Sequence, residues 1–186
     1  MDYTSILNMH QELSLIAVFL LVFVLDLFLP EKHRYLIRRI ACILLGIQLV
    51  TNLTPDEVIL FGGMYHSTPM ASVMKSILTL GTLLVFMQSS DWLKRPDVQH
   101  KTGEYYILTL STLIGMYFMV SAGHFLLFFI GLELASVPMA CMIAFDKYKG
   151  TVLKPVLIHP FGLVQQRYHA LWCFHDLWYH RYTLFR

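Results

Sequence analysis

Charged side chains are scarce in this chain of 186 residues, and their scarcity excludes several classes of protein. Asp, Glu, Lys and Arg together make up 14% of the residues, whereas hydrophobic residues make up 56%. An ordinary soluble domain carries about 25% charged residues. The formal net charge is +2, and no basic patch with interleaved aromatic residues is present. Nothing in the composition therefore indicates a nucleic-acid partner.

Cysteine is also scarce. Cys42, Cys141 and Cys173 lie far apart, and the first two fall within apolar runs. A cysteine in such a run usually serves as a small hydrophobic residue. The spacing predicts neither a disulfide framework nor a metal site.

The hydrophobic residues are concentrated in five long runs, which is the pattern of a membrane protein. Each run approaches the roughly 20 residues with which a helix crosses a bilayer. The second is the weakest, because Arg38 and Arg39 shorten its apolar part. The first is too long for a signal peptide and lacks basic residues upstream, so we expect it to be retained. The sequence predicts an all-α integral membrane fold with about five transmembrane helices, at residues 13–30, 36–53, 69–87, 105–122 and 125–145.

Lysine and arginine alternate across the connecting segments. None occurs before the first span, between the second and third, or between the fourth and fifth. The other connections carry Lys32, Arg34, Lys94, Arg95, Lys101, Lys147 and Lys149. The positive-inside rule then places the N-terminus and the acidic pair Asp56 and Glu57 outside. We expect a multi-pass protein of the bacterial inner (plasma) membrane.

Glu133 lies near the middle of the fifth run, residues 125–145. A carboxylate at bilayer depth is costly and is by default a functional-site hypothesis. Pro138 follows five residues later; its ring removes a backbone donor and tends to break or kink the helix, which frees a carbonyl near the acid. The pattern favours a proton relay, and the alternative is a structural pairing with a neighbouring helix.

Two further charges lie within the spans. Asp26 is near the cytoplasmic end of the first, where we expect it to pair with Lys32 or Arg34. Lys75 is about two turns into the third span. Its long stem could carry the charge to the outer interface, or the charge could partner a buried acid. Lys75 is therefore a candidate supporting charge for the site.

The run from Phe128 to Pro138, FFIGLELASVP, resembles the fifth-helix motif of the antiporter-like membrane subunits of respiratory complex I. From about residue 10 to Lys149 the chain is similar to subunit N of bacterial NADH-quinone oxidoreductase, the counterpart of mitochondrial NADH dehydrogenase subunit 2. Glu104-Tyr105-Tyr106 and the Gly123-His124 turn also agree with that family. The chain looks like a truncated member.

The resemblance implies a contribution to proton translocation coupled to NADH oxidation by quinone. Glu133 would pair with a lysine on a later helix, and withdrawing that charge would raise the pKa of the carboxyl. The implied partners are the other membrane subunits of complex I and the lipid bilayer. NADH, FMN, iron–sulfur clusters and quinone would be held by other subunits, so we expect no catalytic redox residue, cofactor site or metal site here. The alternatives are a subunit of a multisubunit cation/proton antiporter or membrane hydrogenase, and a small membrane scaffold or assembly protein.

The character of the sequence changes after Lys149. Residues 150–186 contain no apolar run near 18 residues and hold His159, His169, His175 and His180. One alternative is an amphipathic cytoplasmic tail. Another is a metal site formed by Cys173, His175 and His180, although steps of 2 and 5 residues fit zinc patterns poorly.

We favour a third explanation, in which residues 150–186 are the family's coding sequence read in a shifted frame. One codon choice for residues 151–157, read two nucleotides later, gives Ser-Ala-Glu-Ala-Gly-Ala, which resembles the family. Residues 161–185, shifted by one nucleotide, can encode an apolar helix. We infer two small insertions or deletions, near Gly150 and Ile158. The sequence thus predicts transmembrane helices in residues 1–149 and a non-family tail in residues 150–186. We expect that this chain does not conduct protons by itself.

Overall fold

The computed structural model describes residues 9–28, 34–54, 57–89, 93 and 102–143. The chain divides into two units after Met139. The described residues up to Met139 belong to the first unit, and Ala140–Ile143, the last turn of the fifth helix, belong to the second. The elements are helices α1 to α5 and one hairpin of two strands: α1 His10–Phe28, α2 Arg34–Thr51, β1 Val58–Leu60, β2 Tyr65–Ser67, α3 Pro69–Gln88, α4 Thr102–Val120 and α5 Phe125–Ile143.

The five helices confirm the predicted helical membrane fold, and their bounds lie within three residues of the predicted spans. By length and composition α1, α3 and α5 could each cross a membrane. The other two helices differ from these, one in its charge and the other in its burial. The sequence of α2 contains three arginines, whereas α4 turns nine buried residues, several of them polar or aromatic, towards other parts of the protein.

Four of the helices form a ring. α1 and α3 each pack against both α2 and α4, and α2 also touches α4 across the centre. Fully buried residues from all four fill the interior: Leu15, Val22, Ile37, Leu45, Phe86, Tyr106, Leu110 and Leu113. The outward faces expose large apolar side chains, among them Phe23, Ile43, Ile47, Val73, Ile77 and Leu84. Apolar surface of that extent is typical of a protein that meets lipid rather than water.

A hairpin between α2 and α3 was not among the predicted elements. β1 and β2 are antiparallel, with Val58 opposite Ser67 and Leu60 opposite Tyr65. The turn places Gly62 and Gly63 at φ 65° and 93°, a region that glycine occupies at little cost. The hairpin also binds the turn that follows α4.

Two backbone hydrogen bonds join the hairpin to that turn. The His66 N–H donates to the Ser121 carbonyl, and the Gly123 N–H donates to the Met64 carbonyl, both at 2.9 Å. Tyr65 and Ala122 form an isolated antiparallel bridge. The hairpin therefore fixes the chain just before α5 begins at Phe125.

Candidate functional site

Helix α5 carries Glu133 near its centre. Glu133 is the ninth of 19 residues in α5, which contains no other charged residue. At a rise of 1.5 Å per residue it lies about 12 Å from the start of the helix. Its side chain is half-buried, and its carbonyl accepts a hydrogen bond from the Ser136 hydroxyl at 3.3 Å. A spanning α5 would place this carboxylate near the bilayer midplane.

A close crossing with α4 sets the rotation of α5. A Cβ atom added to Gly115 would lie 2.5 Å from the Ala135 nitrogen and 2.6 Å from the Gly131 carbonyl oxygen. One added to Gly131 would lie 2.8 Å from the Gly115 carbonyl oxygen. The two backbones therefore touch through small residues, as in membrane helix pairs with Gly or Ala four residues apart.

This crossing determines which way Glu133 faces. Glu133 lies two residues after Gly131 and two before Ala135. With 3.6 residues per turn, two residues correspond to about 200° around the helix. The carboxylate is consequently on the face of α5 opposite to α4.

Pro138 lies within α5, and the helix continues through it to Ile143. Because proline has no N–H, the carbonyl of Leu134 cannot receive the hydrogen bond that residue 138 would donate. That carbonyl belongs to the residue after Glu133. The role of Pro138 as a helix break stays a prediction.

Lys75 forms an ion pair with Glu12. The Lys75 Nζ lies 2.6 Å from Glu12 Oε1, and the two side chains are 0% and 2% exposed. Lys75 also donates to Gln11 Oε1 at 3.1 Å, and the rings of Tyr65 and Tyr117 each lie 5.7 Å from its nitrogen. Of the two alternatives for Lys75, the structure shows pairing with a buried acid rather than a charge that reaches the outer interface. That acid is Glu12, so support of Glu133 by Lys75 stays a prediction.

Glu12, the partner of Lys75, was expected to precede the first helix. α1 begins three residues earlier than predicted, so Glu12 lies in its first turn. Its Oε2 accepts from the Tyr65 hydroxyl at 2.8 Å, and its Oε1 accepts from the Ser121 hydroxyl at 3.0 Å. Burial raises the pKa of Tyr65, in the hairpin outside the helices, and the charge of Glu12 raises it further. The phenol therefore remains a neutral donor to the carboxylate.

Amide and hydroxyl groups extend these contacts across the bundle. The Gln48 amide donates to the Gln11 carbonyl at 2.9 Å and to Asn52 Oδ1 at 3.3 Å. The Asn52 amide donates to Thr79 Oγ1 at 3.1 Å and to the Tyr117 hydroxyl. We call the whole set the buried polar network: Gln11, Glu12, Gln48, Asn52, Tyr65, Ser72, Lys75, Thr79, Tyr117 and Ser121.

Asp26 occupies a different place from the network. Its carboxylate lies where a side chain on Gly103, in the first turn of α4, would otherwise be. A negative charge is favourable at that end of a helix. Lys32 and the side chain of Arg34, the expected partners, lie outside the described residues.

Within the described part of the chain, no group of three or more His, Cys, Asp or Glu could hold a metal ion. Cys173, His175 and His180 lie outside it, as does the whole tail, residues 150–186.

Sequence comparison identifies the relatives of this chain. Over 150 residues it is 74% identical to NADH-quinone oxidoreductase subunit N of Phocaeicola vulgatus, a match that covers 81% of this chain and 32% of the relative. This chain is similar to NADH-quinone oxidoreductase subunit N over that stretch. The subunit N of Azobacteroides pseudotrichonymphae is 38% identical over 152 residues, with 80% and 32% covered. The chain spans about a third of the length of the curated relatives it matches.

Structural comparison finds the same fold in a solved structure. A chain of respiratory complex I from Thermus thermophilus with bound Aureothin matches with a TM-score of 0.63 at 20% identity, over 81% of this chain and 32% of that one. This match supports the fold. No family model matches the sequence. The resemblance to subunit N and the membrane fold class, both predicted from the sequence, are confirmed.

Proposed function

We propose that this chain corresponds to part of a membrane subunit of a proton-translocating NADH:quinone oxidoreductase and contributes to proton translocation. The observation that carries the proposal is the 74% identity to a protein named subunit N. A matched stretch of 150 residues in a chain of 186 must include residues 37–150. It therefore includes Glu133 and the α4–α5 crossing.

We assign binding of the translocated proton to Glu133. The acid lies at mid-helix, on the face of α5 turned away from α4. A nearby positive charge would favour the ionised carboxylate, and withdrawal of that charge would favour the uptake of a proton. In the longer relatives we assign the positive charge to a lysine on a later helix. Pro138 would contribute by leaving the Leu134 carbonyl without its helical donor.

The proposal extends to the orientation, the partners, the cofactors and the tail of the chain. The N-terminus lies outside the inner membrane, and the partners are other membrane subunits of complex I. The chain holds no cofactor of its own, since NADH, FMN, iron–sulfur clusters and quinone act in other subunits. Residues 150–186 are a frame-shifted tail.

A chimera tests the proposed function. The matched segment of the Phocaeicola vulgatus subunit N is replaced by this chain's residues, and the complex is purified into inverted vesicles. We expect an assembled complex with the parental ratio of protons moved per NADH oxidised. Assembly with no proton movement would contradict the proposal.

The same chimera separates the alternatives. If the chain derived from a cation/proton antiporter, pumping would depend on added Na⁺ or fail. If the chain were a scaffold or assembly protein, the chimera would not restore pumping. The high identity to subunit N favours the oxidoreductase over both.

A further inference from the structure

We infer that Glu12 and Lys75 are positioning residues: their fixed ion pair holds the turn that leads into α5, and so places Glu133, without itself carrying protons. The part that concerns Glu133 rests on the proposed function. The part that concerns the turn rests on geometry alone.

Both charges of the pair are buried, and each forms at least two hydrogen bonds. Glu12 Oε1 accepts from Lys75 at 2.6 Å and from Ser121 at 3.0 Å, and its Oε2 accepts from Tyr65 at 2.8 Å. Lys75 is shared between Glu12 and Gln11 at 2.6 and 3.1 Å. Burying two charges costs desolvation free energy. In a pair with this geometry, the attraction and the additional hydrogen bonds offset that cost only while all the partners stay in place. A proton carrier must exchange partners, so these contacts favour a static role.

The pair acts directly on the turn after α4. Ser121 is the first residue after α4, and its hydroxyl is bound by Glu12. Its carbonyl is bound by the hairpin residue His66. Tyr65, the neighbour of His66, is bound to the other oxygen of Glu12. One carboxylate thus ties α1, α3, the hairpin and the turn together.

The position of α5 then follows from two contacts. The turn fixes its first residue, Phe125, four residues after Ser121. The Gly115–Gly131 crossing fixes its rotation two turns later. Glu133 is two residues beyond Gly131, so a displacement of the turn pivots α5 about the crossing and moves the carboxylate.

The first test measures the turn itself, in the full chain in lipid nanodiscs. Amide hydrogen exchange is followed at His66 and Gly123, whose N–H groups join the hairpin and the turn. Lys75→Met and Glu12→Gln should each raise exchange at these amides by about tenfold or more, because each leaves a buried group without its partner. The double variant Glu12→Gln/Lys75→Met should return to within about threefold of the unsubstituted chain, since neither charge remains.

A milder pair of variants keeps the test valid if Lys75→Met fails to fold. Ser121→Ala removes one hydrogen bond to Glu12 and leaves the ion pair intact. It should raise exchange at Gly123 by about threefold or more. The matched control is Ser76→Ala, because the Ser76 hydroxyl donates within its own helix, to the Ser72 carbonyl at 2.9 Å. Unchanged exchange in Ser121→Ala, or equal changes in both, would overturn the positioning role.

The second test uses a chimeric complex whose replaced segment also includes residues 9–36 of this chain, and it measures protons moved per NADH oxidised. The single variants should lower this ratio, and the double variant should restore it. If the double variant keeps the turn protected but abolishes pumping, the pair carries protons and the inference is wrong. If Glu133→Gln leaves pumping unchanged, the proposed function fails instead, while the exchange result still decides the role of the pair in the turn.

Discussion

Gly115→Ala should separate α5 from α4 and so disturb the position of Glu133. The added methyl group would lie 2.5 Å from the Ala135 nitrogen and 2.6 Å from the Gly131 carbonyl oxygen. Both are backbone atoms, which cannot rotate away as the end of a side chain can. The helices must therefore move apart along the crossing.

The magnitude combines two opposing contributions. Overpacking costs about 1–3 kcal/mol, and contact with backbone places Gly115→Ala in the upper part of that range, at about 2–3 kcal/mol. Alanine is favoured over glycine within a helix by about 1 kcal/mol. The net loss in the free energy of unfolding should be about 1–2 kcal/mol.

Gly46→Ala is the matched control, because Gly46 lies within α2 and a Cβ there would meet nothing within 4 Å. It should gain about 1 kcal/mol, and Gly81→Ala in α3 should behave in the same way. Equilibrium unfolding of the full chain in detergent, followed by helix content, measures all three. If Gly115→Ala and Gly46→Ala shift the unfolding free energy equally, the crossing does not exist as described.

Three further predictions concern topology, the acid and the tail. Cysteines placed at Glu57 and at Lys94 should react with an impermeant reagent from outside and from inside, respectively, and the opposite pattern would contradict the orientation. Glu133→Asp should keep more pumping than Glu133→Ala, because a titrating group persists; equal losses in vesicle assays would refute that reason. Nucleotide sequencing past codon 186 should show that one or two corrections restore a long open frame, whereas an intact frame with abundant tail peptide in mass spectrometry would contradict a tail that has no role of its own.

Much of the fold could be predicted because its signal is local. Long apolar runs and the residues that interrupt them placed all five helices to within three residues. The hairpin was missed, although Val58-Ile59-Leu60 followed by Gly62-Gly63 is a pattern typical of strands and a turn. The hairpin lies in the connection between two predicted spans, and a search for long apolar runs assigns no secondary structure to such a connection.

The site could be predicted in part. Glu133 stands out because it is the one charge in an apolar helix. The Glu12–Lys75 pair joins residues 63 positions apart, and no local pattern encodes such a pairing. A partial signal was present, since Gln48 and Asn52, and likewise Tyr117 and Ser121, are four residues apart and so share one helix face. The close approach at Gly115 depends on the opposite helix and could not be read from its own neighbours.

We propose that Glu133 carries a proton in the working complex. The most direct measurement is the number of protons moved per NADH oxidised by the chimeric complex with Glu133→Gln. Its control is Glu104→Gln, the same chemical change at an exposed position in the first turn of α4. We expect a lowered ratio for Glu133→Gln in an assembled complex and an unchanged ratio for Glu104→Gln. An unchanged ratio for both would reduce Glu133 to a structural residue and contradict the claim.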